Sequence, residues 1–174
     1  MNDNKQQFNR DKKDRRPPRR QPSAGADREI EHNMIDIRRV TRVVKGGRRF
    51  SFSVLVVAGD RKGKVGIGLG KAGDIAEAIN KALRQAKKGM LAVPLTKNSS
   101  IPHETAAKFG GSRIVLRPAP GRGIIAGSAV RVILDLAGIK AVNGKIISPS
   151  KNKINNAKAT MLALSNLSLT NRRA

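Results

Sequence analysis

Six cations fall within the twelve residues from Arg38 to Arg49, at Arg38, Arg39, Arg42, Lys45, Arg48 and Arg49, around the pair Gly46-Gly47. Guanidinium and ammonium groups at that density suit phosphate, the first as a bidentate fork and the second as a point charge. Arg61, Lys62 and Lys64 make a second group, Lys71 follows, and Lys81, Arg84 and Lys88 recur at i, i+3 and i+7, which is one stripe of a helix. The chemistry offered is binding to a polyanion. Catalytic constellations are weaker. His103-Glu104 lacks the second histidine of H-E-x-x-H, and His32 has no partner in sequence, so both read as surface or packing residues.

Two glycine patterns invite a nucleotide. Gly68-Leu69-Gly70-Lys71-Ala72-Gly73 matches G-x-G-x-x-G, but the fingerprint needs a parallel βαβ unit and an acid about 20 residues on, and residues 86–96 hold no Asp or Glu. A Walker loop fails too, because Val65 stands where its first glycine belongs and Ala72 where Ser or Thr belongs. Gly70-Lys71-Ala72-Gly73 has the GxxG form of a KH clamp, in an element order that does not suit that fold. The loop from Gly121 to Ser128 is the most enzyme-like stretch and resembles the phosphate loop of the small-metabolite (GHMP) kinases, where helix N-terminal amides cradle phosphates. Asp135, four residues after Arg131, reads as a surface ion pair rather than a general base.

These residues need elements to position them. Phe50, Phe52, Val54, Val56 and Ala58 alternate with Ser51, Ser53, Leu55, Val57 and Gly59, the period of a long strand. A basic turn at Asp60 to Lys64 then leads into Val65, Ile67 and Leu69 alternating with Gly66, Gly68 and Gly70, and the two runs form a hairpin. Glycine on alternate positions strips one strand face, which calls for close approach by another backbone or a ligand; with basic residues at both hairpin ends, a polyanion is the expected neighbour. A preceding strand spans Glu29 to Val44, with a loop or bulge expected over Arg38 to Arg42. Asp74, with Glu77 three residues on, predicts a reciprocal capping box and a helix over Ile75 to Met90. Its inward stripe is expected to be Ile75, Ile79, Ala82, Leu83, Ala86 and Met90.

A short strand at Leu91 to Leu95 and a polar turn at Thr96 to Ser100 lead, through a connection over Ile101 to Phe109, into a second lobe. There, Arg113 to Leu116 predicts a strand, and Ala129 to Ala137 a helix buried through Val130, Ile133, Leu134 and Ala137 and ended by Gly138. A strand within Ile139 to Ile147 and a helix capped by Asn152, with Ile154, Ala157, Met161 and Leu164 inward, complete it. The expected fold is α+β in two small lobes, β-β-β-α then β-α-β-α. Boundaries fall at 1–28 for a disordered charged extension, 29–97, 98–169, and 170–174 for a frayed tail.

Composition narrows the partner. Lys and Arg number 36 against 12 Asp and Glu, a net charge of +24. Residues 1–30 hold nine basic and five acidic residues, so most of the excess lies in the folded part. No cysteine is present, which excludes disulfides and thiolate metal sites, and no apolar run approaches a membrane span. With four Phe and neither Tyr nor Trp, recognition by shape and phosphate is favoured over aromatic stacking of single strands.

The stretches VVKGGRRFSFSVLVVAGDRKGKVGIGLGKAGDIAEAINKA and GGSRIVLRPAPGRGIIAG, with the terminal KATMLAL, resemble the family of the fifth protein of the bacterial small ribosomal subunit, over about residues 30–169. The resemblance implies a first lobe like a double-stranded-RNA-binding domain without its first helix, and a β-α-β-α second lobe of the kind shared with metabolite kinases. It implies a structural, non-enzymatic, cytoplasmic ribosomal component without cofactor, metal, small-molecule substrate or membrane contact. Its implied partners are 16S rRNA, the fourth and eighth small-subunit proteins, and mRNA where it enters its channel, with an influence on translational accuracy. By position, Thr41, Arg42, Val43, Lys45, Gly46 and Gly47 match the loop beside the spectinomycin pocket, and Gly123 and Arg131 match a protein-interface corner near the fourth protein. The chain has one residue fewer than the commonest pattern before Gly121-Arg122-Gly123, over Pro120 to Arg122. A free-standing double-stranded-RNA-binding regulator and a small phosphotransferase using the Gly121 to Ser128 loop are the alternatives.

Overall fold

The computed structural model describes residues 30–96 and 98–167; the expected charged extension over 1–28 and tail over 170–174 lie outside the described residues. The first lobe is a sheet of β1 (Glu31–Val44), β2 (Gly47–Gly59), β3 (Lys64–Ala72) and β4 (Leu91–Ala92), in that order and antiparallel throughout, with α1 (Ile75–Lys88) between β3 and β4. The second contains β5 (Thr105–Phe109), β6 (Ser112–Pro118), β7 (Ile124–Ala126), α2 (Ser128–Leu136), β8 (Val142–Ile146) and α3 (Lys153–Ser165), with strand order β5-β6-β8-β7. Only the β7–β8 pair is parallel, as a connection through α2 requires.

The architecture is α+β in two lobes, and the structure adds two strands to the second. β5 lies within the stretch expected to be a plain connection, and its Ala106-Ala107 pair carries little strand propensity. β7 is three residues inside the glycine-rich loop. The expected strand over Leu91 to Leu95 shortens to Leu91–Ala92, opposite Val65 and Lys64, and the Val93 amide then donates to the Gly63 carbonyl.

The run Val54 to Ala58 is buried without interruption, so β2 is covered on both faces. Val54 and Val56 meet α1, while Leu55 and Val57 join a core shared with Val130, Ile133 and Leu134 of the second lobe. Each such aliphatic side chain stabilises the fold by about 1.5–3 kcal/mol. The two lobes therefore share one apolar interior. Their seam is also backbone to backbone: the amides of Arg61 and Gly63 donate to the carbonyls of Leu136 and Ala137. Gly138 turns with φ +80 directly against the Arg61 carbonyl, where a side chain has no room.

The glycine row corrects one expectation. Gly66, Gly68 and Gly70 face not a polyanion but α1, at the carbonyls of Ala86, Ala82 and Ala78 respectively, and a β-carbon on any of the three would overlap that oxygen. The helix presents its smallest residues: Ala78, Ala82 and Ala86 are fully buried, whereas Ile75 is exposed and Ile79 and Leu83 are half-buried. Ala78 replaces Ile75 in the inward stripe. The capping box also forms only in half: the Asp74 carboxylate accepts from the Ala76 amide, while Glu77 pairs with Lys81 at 3.4 Å. In α3 the buried set is Asn156, Ala157, Ala159, Thr160, Ala163 and Leu164, with Ile154 and Met161 half-buried.

The bulge in β1 falls between Met34 and Asp36 rather than over Arg38 to Arg42. Beyond it Met34 pairs with Val56 on the α1 side, while Asp36 keeps the face of Arg38, toward the second lobe, where its carboxylate accepts from Arg38 at 2.7 Å and from Lys153 of α3 at 3.2 Å. Burial raises the carboxyl's pKa, but the hydrogen bonds and charges of Arg38 and Lys153 outweigh it and hold the group below its usual value of 3.8. Because the folded value is depressed, this contribution to stability is present above pH 3.8 and is lost as pH falls through the lower folded pKa. Asp36→Asn should cost about 1 kcal/mol at pH 7, kept small because both cations are half exposed, and nothing below the folded pKa. Urea denaturation across pH 2–7 checks this, and a pH-independent loss would assign the cost to packing.

Candidate nucleic-acid interface

The hairpin of β1 and β2 is about 40 Å long and outreaches its cover. Residues 47–50 of β2 are exposed, 51–52 half-buried and 53–59 buried, so a two-stranded tip projects from the body, closed by the turn Lys45-Gly46. Register assigns its side chains. Arg38, Val40 and Arg42 pair with Ser53, Ser51 and Arg49 on the face that continues onto the second lobe. Lys71 of β3 lies opposite Ser53, so Arg38, Arg42, Arg49 and Lys71 gather on that one face with two hydroxyls. Among the described residues, Arg42, Arg49 and Lys71 have no carboxylate within ion-pair distance, although Arg42 and Arg49 stand directly opposite each other.

The other face of the tip carries Arg39, Thr41, Val43, Arg48, Phe50 and Phe52, continuing the side that α1 covers further along. There the Arg39 guanidinium lies 4.5 Å from the centre of the Phe50 ring. A β-carbon on Gly46 or Gly47 would meet nothing within 4 Å, and residues 45–47 are exposed, which leaves the backbone at the tip accessible.

The remaining sequence-predicted cations lie elsewhere. Arg61, Lys62 and Lys64 sit at the opposite end of β2. Asp60 holds their turn by accepting from the Lys62 and Lys64 amides at 2.8 and 2.9 Å, and these bonds hold its carboxyl below the usual range against the opposing effect of burial. Arg61 pairs with Glu31 at 2.7 Å, while Lys62 and Lys64 are exposed. Lys81, Arg84 and Lys88 all lie on the exposed side of α1, across the sheet from the Arg42–Arg49 face. The cations thus divide into the two faces of the tip, the far turn, and the helix back.

Gly123 and Arg131 do meet at one corner. Arg131 donates to the Ile124 carbonyl at 3.1 Å, next to Gly123, whose own carbonyl accepts from the Val142 amide. The expected Arg131–Asp135 ion pair does not form among the described residues. The glycine-rich loop reaches α2 through Gly127, which caps the helix with no side-chain bond. Among the described residues, no three His, Asp or Glu side chains converge to hold a metal ion, and no helix is long and apolar enough to cross a membrane.

Charge counting along the sequence missed two features. One is the outward face of the second sheet, where Lys108, Arg113, Arg117 and Lys145 are all exposed and Glu104 pairs with Arg117 at 2.9 Å. The other is Phe50, half exposed although its strand reads as core. Its place before the buried run, beside Arg48 and Arg49, is the sequence signal.

Residues 30–94 match the model of the family described as Ribosomal protein S5, N-terminal domain, and residues 107–172 that of Ribosomal protein S5, C-terminal domain. The small ribosomal subunit protein uS5c of Emiliania huxleyi is 49% identical over 140 residues, 80% of this chain and 87% of that one. The small ribosomal subunit protein uS5 of Gloeothece citriformis is 47% identical over 152 residues, 86% of this chain and 87% of the relative. That of Prochlorococcus marinus is 44% identical over 165 residues, covering 93% and 80%.

Proposed function

This chain belongs to the ribosomal protein S5 family and is a structural constituent of the small ribosomal subunit, and on that premise we propose how it holds its RNA. Residues 29–97 act as the RNA-binding unit and residues 98–169 as the lobe that braces it. The projecting tip carries the principal contact: Arg38, Arg42, Arg49 and Lys71 meet phosphates of 16S rRNA on one face, Arg39 and Arg48 face the RNA from the other, and Lys45-Gly46-Gly47 approach with open backbone. Lys62, Lys64, Arg84 and Lys88 supply further phosphate contacts, and Arg61 and Lys81 join them once they leave Glu31 and Glu77. The observation that carries this reading is the uncompensated Arg42–Arg49 pair. Like charges directly opposite across a ladder destabilise it in water, and a polyanion relieves that repulsion.

In the same proposal the loop at Thr41 to Gly47 borders the spectinomycin pocket, and the Gly123–Arg131 corner meets the fourth small-subunit protein. The eighth protein and mRNA at the mouth of its channel are further neighbours, through which the chain affects accuracy. The role involves no catalysis. Sucrose-gradient sedimentation of a lysate at moderate and high salt tests the assignment. A stoichiometric peak with the small subunit that survives the salt wash is expected. A peak at the top of the gradient, or one stripped by salt, points instead to a free-standing RNA-binding regulator.

A further inference from the structure

We propose that the tip of the β1–β2 hairpin stacks unpaired nucleobases on Phe50 and Arg39, an inference that rests on the RNA-binding reading above. The two faces of the tip differ in chemistry. The Arg42–Arg49 face has cations and hydroxyls, which suit the phosphates and 2′-hydroxyls of a duplex. The Phe50 face interleaves its cations with exposed apolar groups: Phe50 is 49% exposed, Val43 75% and Ile37 41%. Thr41 stands directly opposite Phe50, with Arg39 and Val43 as its diagonal neighbours.

The helix does not cover this strip: the apolar cluster under it contains Val54 and Val56 of β2, while Phe50 and Val43 stay exposed. Residues 37–59 hold no acid, and Arg39 and Arg48 lie on this face with Lys45 in the turn beside it, so the occupant is anionic. A duplex would set ribose and phosphate against the ring and leave its apolar surface unmatched. An unpaired nucleotide satisfies both requirements, offering a flat π-face to the ring or to the guanidinium and a phosphate to Arg48. Arg39 is placed for this. Lying 4.5 Å from the Phe50 ring centre, its guanidinium orients the aromatic group and is itself a plane on which bases stack. The scarcity of aromatics, which argued against stacking along the sequence, applies to the chain as a whole and not to this position.

The chain lacks Trp and Tyr, so F50W in the full-length protein is a single-fluorophore reporter. Its emission is titrated with a single-stranded adenosine 12-mer and with a 12-base-pair RNA duplex, and binding is followed in parallel by anisotropy of labelled RNA. Quenching by the single strand and not by the duplex is expected. Phe50→Leu keeps the apolar bulk and removes the π-face, so it should weaken single-strand binding by about 5- to 100-fold with the salt slope unchanged, and leave duplex binding within about twofold. Arg39→Lys should fall between, since an ammonium does not stack. An unquenched F50W that still binds both RNAs, or a Phe50→Leu variant of full affinity, overturns the site and leaves the strip to a protein neighbour or to solvent. Wild-type co-sedimentation with the small subunit is read separately: its failure removes the functional reading, whereas an unquenched F50W with normal co-sedimentation removes only the stacking site.

Discussion

Gly68→Ala is expected to lower the unfolding free energy by about 3 kcal/mol or more, at or beyond the upper end of ordinary overpacking. The added β-carbon would overlap the Ala82 carbonyl and press on the Ala86 amide, and both are backbone atoms of one rigid helix. No side chain is available to swing aside. Helix α1 must therefore lift from the sheet, loosening Val54, Val56, Ala78 and Ala82 together, since they form one apolar cluster. Gly73→Ala is the matched control: nothing lies within 4 Å of its β-carbon, and its φ is outside the left-handed range. There the same substitution should be neutral, or stabilise by about 0.4–1 kcal/mol through the unfolded chain. Denaturant midpoints of the two variants at equal m-values decide. A Gly68→Ala protein as stable as Gly73→Ala would mean that α1 is not seated on the glycine row.

That row shows what the sequence could and could not convey. Alternation at Gly66, Gly68 and Gly70 makes a close approach legible, but basic residues at both hairpin ends directed the reading toward a polyanion. The matching signal lay downstream, in Ala78, Ala82 and Ala86 at i, i+4 and i+8. A face built of glycine accepts the smallest stripe of a helix, whereas assigning the inward stripe by size brings in Ile75 and Met90. Burial of β2 on both faces was likewise present in the unbroken apolar run Val54 to Ala58, which overrides the alternation before it. Strands β5 and β7 were not legible, because two alanines in one and the three-residue length of the other leave little local preference. For α2 the local pattern sufficed: Val130, Ile133, Leu134 and Ala137 are all fully buried.

The basic residues were equally legible as a set, but not their division. Period-two geometry places Arg42 and Arg49 together and Thr41 opposite Phe50 only once the register is known; that register is set by the two-residue turn Lys45-Gly46 and runs unbroken to Asp36 opposite Leu55, while the bulge at Ile35 shifts only the pairs beyond it. Exposure of Phe50 depends on where α1 begins relative to β2, a tertiary fact. Composition therefore identifies the class of ligand, while register and cover decide which side chains share it.

The strongest functional consequence concerns the Arg42–Arg49 face. Replacing Arg42, Arg49 and Lys71 together by Gln should weaken binding to 16S rRNA by about 10²- to 10³-fold near 0.1 M salt, and lower the slope of log K against log salt by about 2–3, one released counterion per lost phosphate contact. Stability should hold or rise by a few tenths of a kcal/mol, since the substitution removes a directly opposed like-charge pair and no ion pair among the described residues. Opposite signs in the two measurements are what a site retained for a polyanion should give, because repulsion tolerated in the free chain becomes attraction in the complex. A second triple, Lys108→Gln, Arg113→Gln and Lys145→Gln, removes the same charge from the exposed side of the second sheet. It should lose only the smaller, long-range part of the effect, which is screened beyond about 10 Å at this salt. Filter binding of both triples to 16S rRNA between 0.05 and 0.3 M salt separates the cases. An equal loss would show that total charge, rather than the projecting hairpin, sets the affinity.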